Sequence, residues 1–137
     1  MSKVLGIGTD IVKLARFKSI VLRNGLKSRQ TETFAMKILH PEQELPLFQE
    51  CVAKDQLDRT IRLLAGSWAM KEAVFKCLDD KVQQSQKFKQ WYKYNADNGR
   101  PMVGGLYVQN NPKEEFLLSI SHDDDTLIAS VLRQLNN

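Results

Sequence analysis

The apolar residues of this chain recur most densely between residues 63 and 78. At about 100° per residue their side chains fall on nearly every face of a helix, and a helix that is apolar almost all round is buried in a core. Glu72 and Lys76 interrupt this surface one turn apart, on a strip flanked by Trp68 and Ala69. Because a buried charge is unfavourable without a partner, the pattern predicts a central helix with something bound against this strip.

A simpler interpretation of Glu72 and Lys76 stays open at this point. A glutamate and a lysine four residues apart on a helix commonly form a solvated pair that contributes about 0.2–0.5 kcal/mol. A carboxylate beside a lysine can also hold a metal ion while the lysine neutralises phosphate. The apolar flanks of the strip shift the balance towards such a site.

Alternation of apolar and polar residues predicts an antiparallel sheet. The most regular strand covers residues 115–122, where Ile120 and His122 share the apolar face. The acidic turn at residues 123–125 leads into a second apolar run, so the two strands form a hairpin. The predicted strands are residues 4–8, 91–94, 106–108, 115–122 and 127–132, with residues 91–94 at an edge.

Two polar residues stand at the ends of predicted strands. Asp10 follows residues 4–8, whose two glycines predict close approach of another group to the backbone, and it precedes a helix over residues 11–23. Asp10 or Thr9 could equally serve as the N-cap of that helix. His122 emerges at the open end of the hairpin, where a lone histidine is more often structural than functional.

The remaining boundaries come from breaker residues. The central helix is expected to begin near residues 58–60 and to end at residues 79–80. His40 is interpreted as a turn residue, and Pro41 is expected to open a further helix. Residues 81–90 are polar and predict a loop or an extension of the central helix.

Composition is that of an ordinary soluble globular protein. The 137 residues suffice for one domain, residues 1–137, and 42% are hydrophobic while 26% are charged. No apolar run approaches the length of about 18 residues that a membrane helix needs, and no signal peptide precedes the first strand. Cys51 and Cys77 lack metal or redox spacing, which indicates a reducing compartment. We therefore expect a soluble intracellular protein.

The positive charge is concentrated in one block. Six basic residues and no acidic one lie between residues 11 and 31: Lys13, Arg16, Lys18, Arg23, Lys27 and Arg29. Such a block indicates an anionic partner, which could be nucleic acid, a membrane surface or an acidic protein. A solvated basic face without a partner is an equally open interpretation.

Together, Asp10, Glu72, Lys76 and His122 form a set suited to phosphate chemistry. Mg²⁺ in proteins is typically held by one or two carboxylates together with substrate oxygens and water. A lysine and a histidine nearby would neutralise the remaining phosphate charge. This combination favours phosphoryl transfer, in which catalysis is mostly positioning and charge stabilisation.

At the level of motifs the sequence resembles the 4′-phosphopantetheinyl transferases, and within them the short holo-acyl-carrier-protein synthase group. The motifs occur in the same order as in the family and extend from one end of the chain to the other. Their residues are most like those of the fungal members, including the stand-alone mitochondrial type. The motifs are GIGTDIVKLARF at residues 6–17, FAMKILHPEQE at 34–44, LAGSWAMKEAVFK at 64–76, NGRP at 98–101 and SISHDDD at 119–125.

The resemblance implies an activity and a set of roles. The expected reaction transfers the phosphopantetheine arm of coenzyme A to a serine of an acyl carrier protein and leaves adenosine 3′,5′-bisphosphate. Asp10 and Glu72 match the Mg²⁺ ligands, and Lys76 matches the catalytic lysine beside the pyrophosphate. His122 matches the histidine that contacts a phosphate of coenzyme A. Arg16 matches the arginine that receives the acidic helix of the carrier, in agreement with the basic block.

The resemblance also implies an α+β fold, an antiparallel sheet packed on the long central helix, and a homotrimer, with a mitochondrial location as one expectation. Two departures qualify it. Residues 77–90 contain no glycine where short members usually carry a glycine-rich loop, and the surplus residues 79–93 are expected to form a segment of their own. Val12 occupies the position of a third acidic ligand in the long monomeric members, which favours the short group. The competing hypothesis is a nucleic-acid-binding module that stacks bases on Trp91, Tyr92 and Tyr94.

Overall fold

A computed structural model describes residues 2–137 and contains an α+β fold in which a five-stranded antiparallel sheet packs on one long helix, as the sequence predicted. The strands are β1 (Lys3–Lys13), β2 (Trp91–Asn95), β3 (Pro101–Gly105), β4 (Glu114–Asp123) and β5 (Thr126–Leu135). The helices are α1 (Leu14–Asn24), α2 (Arg29–Ile38), α3 (Leu45–Ala53), α4 (Leu57–Lys76), α5 (Asp80–Ser85) and α6 (Leu106–Asn110), with a 3₁₀ turn at Phe88–Gln90. Within residues 2–137 no helix combines the length and the apolar content that crossing a bilayer requires.

The sheet has the spatial order β1-β5-β4-β3-β2, so the first strand pairs with the last one. The predicted hairpin is confirmed: β4 and β5 are joined at their tip, where Asp123 pairs with Thr126. Strand β2 lies at one edge of the sheet, as predicted, and β1 lies at the other. One face of the sheet is covered by α4, which contacts β1 and β5 most extensively.

Helix α4 is the predicted central helix, and its burial follows from its apolar surface. A side chain on Gly8 would place its Cβ 1.9 Å from the carbonyl oxygen of Ala73, and one on Gly6 would come within 2.6 Å of the Cys77 carbonyl. The close approach that the glycines predicted is therefore made by α4 itself. Its fully buried apolar residues are Leu64, Ala65, Ala69, Met70, Ala73 and Val74.

The first strand is longer than predicted and contains Asp10 within it. Strand β1 stays paired with β5 beyond the glycines, and Asp10 lies opposite Ala129. The alternative of Asp10 or Thr9 as an N-cap is therefore wrong. Helix α1 is capped from the hairpin tip instead, because the backbone N–H of Ala15 donates to a carboxylate oxygen of Asp125 at 3.0 Å. Pairing with a strand from the other end of the chain overrode the local signal.

Three further local predictions were wrong or incomplete. Residues 106–108 belong to helix α6, because Gly105 leaves β3 with a φ of +142° and turns the chain out of the sheet. Helix α3 begins at Leu45, after a turn, with Pro46 in its first turn instead of Pro41. Residues 81–90 are neither a plain loop nor an extension of α4, since α5 and the 3₁₀ turn form a separate segment.

Candidate active site

Strand β1 and helix α4 run in opposite directions, and their contact brings Asp10 beside Glu72 and Lys76. Gly8 lies against Ala73. Asp10 follows Gly8 by two residues on the same face of the strand. This step advances the chain by about 6.6 Å, which is close to the 5.4 Å pitch of a helix. Asp10 therefore meets α4 near the turn that carries Glu72, and the long side chain of Lys76 reaches it from the next turn.

Lys76 pairs with the strand and not with its helical neighbour. Its Nζ donates to the backbone carbonyl of Thr9 at 2.8 Å and to Oδ1 of Asp10 at 3.2 Å. The Lys76 side chain is 49% exposed and that of Asp10 is 15% exposed, so the pair lies at an open cleft. The simple surface pair between Glu72 and Lys76 is absent from the ion pairs formed by residues 2–137.

Glu72 and Asp10 are two carboxylates that repel each other in one cleft. Burial is the largest effect that raises the pKa of Glu72, and the Asp10 carboxylate raises it further, while Lys76 and Arg16 lower it. Oδ2 of Asp10 is buried and accepts no hydrogen bond. A carboxylate oxygen without a donor and a second carboxylate beside it are the arrangement that a divalent cation stabilises.

Two side chains, those of Asp10 and Glu72, would be the protein ligands of such a cation. Among residues 2–137 there is no cluster of three or more His, Cys, Asp or Glu side chains that could hold a metal. Val12, at the position of a possible third acidic ligand, is buried in the core. The remaining coordination positions would be filled by water and by substrate oxygens, as is usual for Mg²⁺ at phosphate sites.

Arg16 lies closer to the carboxylates than the helical pattern indicated. The pattern placed it on the exposed side of α1, away from the core. Its guanidinium carbon lies 5.4 Å from the ring centre of Trp68 and 5.8 Å from that of Phe17. A cation–π contact with an aromatic residue of α4 therefore turns Arg16 towards Glu72, although the residue remains exposed to solvent.

A groove of about 1120 Å³ opens beside the same stretch of α4. Trp68 and Phe75 belong to its wall, and Phe88 of the 3₁₀ turn packs edge-on against both rings at 5.2 and 5.0 Å. Its cationic lining residues are Lys27, Arg29, Lys37, Lys87 and Lys89, and its acidic one is Glu32. Sequence reasoning missed Lys87, Phe88 and Lys89; the signal was the alternation of lysine and phenylalanine at residues 87–89.

His122 lies on the sheet face that carries Asp10, but β5 separates the two strands. Val12, Leu127 and His122 stand opposite one another on β1, β5 and β4, so His122 is about 9–10 Å from β1. It lines a different cavity, of about 430 Å³, together with Arg62 and Lys93. Asp10, Glu72 and Lys76 are thus brought together, while His122 lies in a separate cavity whose charged lining residues are Arg62, Lys93 and Asp124.

A buried charged cluster surrounds Lys71, the residue that precedes Glu72 on α4. Lys71 is fully buried, and its Nζ donates to Oε1 of Glu44 at 2.5 Å and to the carbonyl of Ile38 at 2.6 Å. Glu44 also accepts from Ser67 Oγ at 3.0 Å and from the backbone N–H of Lys93 at 3.0 Å. Sequence reasoning assigned Lys71 no role. The signal that could have indicated its buried ion pair was a charged residue on a helix whose other faces are apolar.

The fold thus brings two carboxylates and a lysine together where its central helix meets the first strand. A family model described as the 4′-phosphopantetheinyl transferase superfamily matches residues 6–131. The chain belongs to this superfamily and is an enzyme of that class.

Individual relatives agree with this assignment. The holo-[acyl-carrier-protein] synthase of Geobacillus sp. (strain WCH70) is 33% identical over 129 residues, which cover 94% of this chain and 95% of the relative. The mitochondrial holo-[acyl-carrier-protein] synthase of Eremothecium gossypii is 34% identical over 143 residues, with coverage of 94% and 78%. The crystal structure of Helicobacter pylori holo-[acyl-carrier-protein] synthase in complex with coenzyme A superposes with a TM-score of 0.65 at 26% identity, covering 93% and 98% of the two chains.

Proposed function

We propose that the chain, as one domain over residues 1–137, transfers the 4′-phosphopantetheine arm of coenzyme A to a serine of an apo acyl carrier protein. The observation that carries the proposal is the meeting of Asp10, Glu72 and Lys76 at one open cleft in a member of this superfamily. The names of the relatives, and the coenzyme A in the Helicobacter pylori structure, support the choice of both substrates.

The reaction exchanges one phosphorus–oxygen bond for another. The serine Oγ of the carrier forms a bond to the phosphorus that bears the pantetheine arm. The bond from that phosphorus to the bridging oxygen breaks, and the bridging oxygen leaves with adenosine 3′,5′-bisphosphate. The serine proton is released, and the negative charge that builds on the leaving phosphate must be stabilised.

Asp10 and Glu72 are the residues that would hold Mg²⁺. The unpartnered Oδ2 of Asp10 and the raised pKa of Glu72 support this assignment, because a bound cation would relieve both. When bound, Mg²⁺ would neutralise pyrophosphate charge and orient its oxygens.

Lys76 would stabilise the leaving phosphate. Its side chain is half exposed, so a phosphate oxygen can approach it from solvent. Thr9 and Asp10 hold the Nζ in place by accepting hydrogen bonds at 2.8 and 3.2 Å. A lysine anchored in this way needs little reorganisation when phosphate charge develops.

Coenzyme A would contact a cavity of each kind, and the second one would come from a neighbouring chain where sites lie between subunits. The aromatic wall formed by Trp68, Phe75 and Phe88 suits the uncharged pantetheine arm. The cavity lined by Arg62, Lys93 and His122 suits a phosphate of the nucleotide. His122 in this role is a phosphate contact and is not a metal ligand.

A homotrimer with sites between subunits would explain two features. The outer sheet face is apolar and open: Ile7 is 70% and Ile11 is 62% exposed, and Ile11 pairs with the exposed Ile128. His122 also lies apart from the three other site residues, as expected if a neighbouring chain completes each site. Light scattering on the eluted protein should give the mass of three chains, and Ile11→Glu should give that of one.

The nucleic-acid hypothesis loses one of its three stacking residues. Trp91 has 0% exposure and packs on Tyr107 at 5.5 Å, so it is not available to a base. The basic block of residues 11–31 is then best explained by an acidic protein partner, the carrier. A mitochondrial location is proposed from the Eremothecium gossypii relative, and imaging of a fluorescent fusion of the full gene product tests it.

The decisive experiment is a single incubation. The purified protein is mixed with coenzyme A, Mg²⁺ and an apo acyl carrier protein, and intact-mass spectrometry should show the carrier gaining one phosphopantetheine group. Omission of coenzyme A and addition of EDTA are the controls. An unmodified carrier under the complete conditions, with a carrier that a known synthase does modify, would overturn the proposal.

A further inference from the structure

The groove beside Glu72 has an uneven distribution of charge along its rim. Five of its lining residues are cationic and one is acidic. Lys27 is neutralised in part, because it pairs with Asp55 at 3.1 Å. Arg29, Lys37, Lys87 and Lys89 form no ion pair with any carboxylate of residues 2–137. Their charges are exposed to solvent and are available to an anionic partner.

Lys87 and Lys89 are held at this rim by the residue between them. Phe88 packs edge-on against Trp68 and Phe75 of α4, at 5.2 and 5.0 Å between ring centres. The backbone N–H of Lys87 also donates to Oε1 of Gln90 at 2.7 Å, which closes the 3₁₀ turn. The two lysines therefore flank an anchored aromatic ring and stand at a defined place beside the groove.

The anion that meets these lysines is not required by the nucleotide. Lys76 already serves the pyrophosphate in the proposed function, and the cavity of Arg62, Lys93 and His122 serves a further phosphate. The groove wall itself is aromatic and suits the uncharged arm. An unneutralised basic rim on a groove that shares the α4 residues Trp68 and Phe75 thus fits a charge that arrives with the second substrate.

We propose that the acyl carrier protein docks against Lys87 and Lys89 as well as against the basic block of residues 11–31. Its acidic surface would then bridge the groove, from Arg29 and Lys37 of α2 on one side to the glycine-free segment on the other. This inference rests on the proposed function, because the carrier's serine must approach the cleft of Asp10 and Glu72. It assigns to the segment after α4 a role in choosing the carrier.

The test is the double charge reversal Lys87→Glu/Lys89→Glu, assayed with coenzyme A, Mg²⁺ and a purified stand-alone apo acyl carrier protein. The KM for the carrier should rise about tenfold or more, and kcat/KM for the carrier should depend less steeply on salt. The KM for coenzyme A and kcat should stay close to wild type. Lys113→Glu, an exposed lysine outside the groove lining, is the matched control and should change none of these quantities.

Two results would overturn the inference. An unchanged KM for the carrier would make these lysines a solvated surface, and a raised KM for coenzyme A would assign them to the nucleotide. Circular dichroism checks the fold of the double variant, and if it fails to fold, Lys87→Ala/Lys89→Ala should still raise the carrier KM by about threefold. A wild-type protein without transfer activity would instead contradict the proposed function, and this inference with it.

Discussion

Helix α4 carries two lysines, Lys71 and Lys76, whose surroundings are opposite. Lys71 is fully buried between Glu44 and the carbonyl of Ile38, and desolvation lowers its pKa although Glu44 opposes this. Lys76 is half exposed and bonds to Asp10 across the contact with β1. Both are lysine–carboxylate pairs anchored on the same helix, so the difference between them lies in what surrounds the carboxylate.

The carboxylate of Glu44 is saturated and that of Asp10 is not. Glu44 accepts from Lys71, Ser67 and the backbone N–H groups of His40 and Lys93. Oδ2 of Asp10, although buried, has no donor. A saturated buried pair joins α4 to the turn before α3 and to β2, and it offers nothing to a ligand. An unsaturated pair at an open cleft retains the bonding capacity that a metal ion or a phosphate uses.

The largest effect is expected when the saturated pair is broken. Lys71→Met should lower the free energy of unfolding by about 3–5 kcal/mol, because Glu44 would remain buried without its cation. Urea unfolding followed by circular dichroism measures it. Lys54→Met is the matched control, since Lys54 pairs with Glu50 at 2.8 Å on the surface and its loss should hardly move the unfolding midpoint. Equal midpoints for the two variants would remove the distinction between the pairs.

The next effect concerns the unsaturated carboxylates. Asp10→Ala and Glu72→Ala should each reduce transfer about a thousandfold, or about 4 kcal/mol, and the double variant should be little worse than either one. The reason is that either single variant already loses the shared ion, so the second substitution has no further ion to remove. Rates of carrier modification provide the three values. Strictly additive losses would contradict a shared Mg²⁺.

Lys76→Met separates catalysis from stability. Transfer should fall about a hundredfold, or about 2.7 kcal/mol of transition-state stabilisation. The free energy of unfolding should change by no more than about 0.5 kcal/mol, because the exposed ion pair contributes little. A thermal melt and a rate measurement on one preparation give both numbers. Full activity in this variant would exclude α4 as the catalytic element.

Arg16→Glu should act on the carrier more than on the nucleotide. The KM for the carrier is expected to rise about tenfold with a flatter salt dependence, while the KM for coenzyme A stays near its normal value. The contact of Arg16 with Trp68 supplies the specific alternative, a role at the phosphates beside Glu72. Equal changes in the two KM values would establish that alternative.

The smallest effect is on pH dependence. Because the pKa of Glu72 is raised above its ordinary value of 4.5 in the folded protein, the native state binds more protons than the unfolded chain just above that pH. In EDTA, the free energy of unfolding should therefore fall as pH rises through the raised pKa.

Glu72→Gln should remove this part of the slope, and Mg²⁺ at neutral pH should raise the melting temperature of the wild type but not of Glu72→Gln. Both measurements are independent of catalysis. Identical pH slopes for the two proteins would contradict the raised pKa of Glu72, which burial and the Asp10 carboxylate cause.

Much of the fold was predictable because its signals are local. The apolar period of α4 and the alternation in β4 and β5 predicted the central helix and the hairpin, and the structure confirms both. The errors fell where pairing between distant segments decided the outcome. Strand β1 extends through Asp10 because β5, from the other end of the chain, pairs with it. Residues 106–108 left the sheet because Gly105 turns the backbone.

The sequence by itself determined the family, the central helix and the identity of the charged residues on it, because motif wording and side-chain period are properties of neighbouring positions. Only the tertiary structure decided what each charge meets. Lys76 and Asp10 are 66 positions apart, and Lys71 and Glu44 are 27 apart. No local pattern distinguishes the two lysines of α4, since the hydrogen-bond saturation of a carboxylate depends on donors that separate segments bring to it.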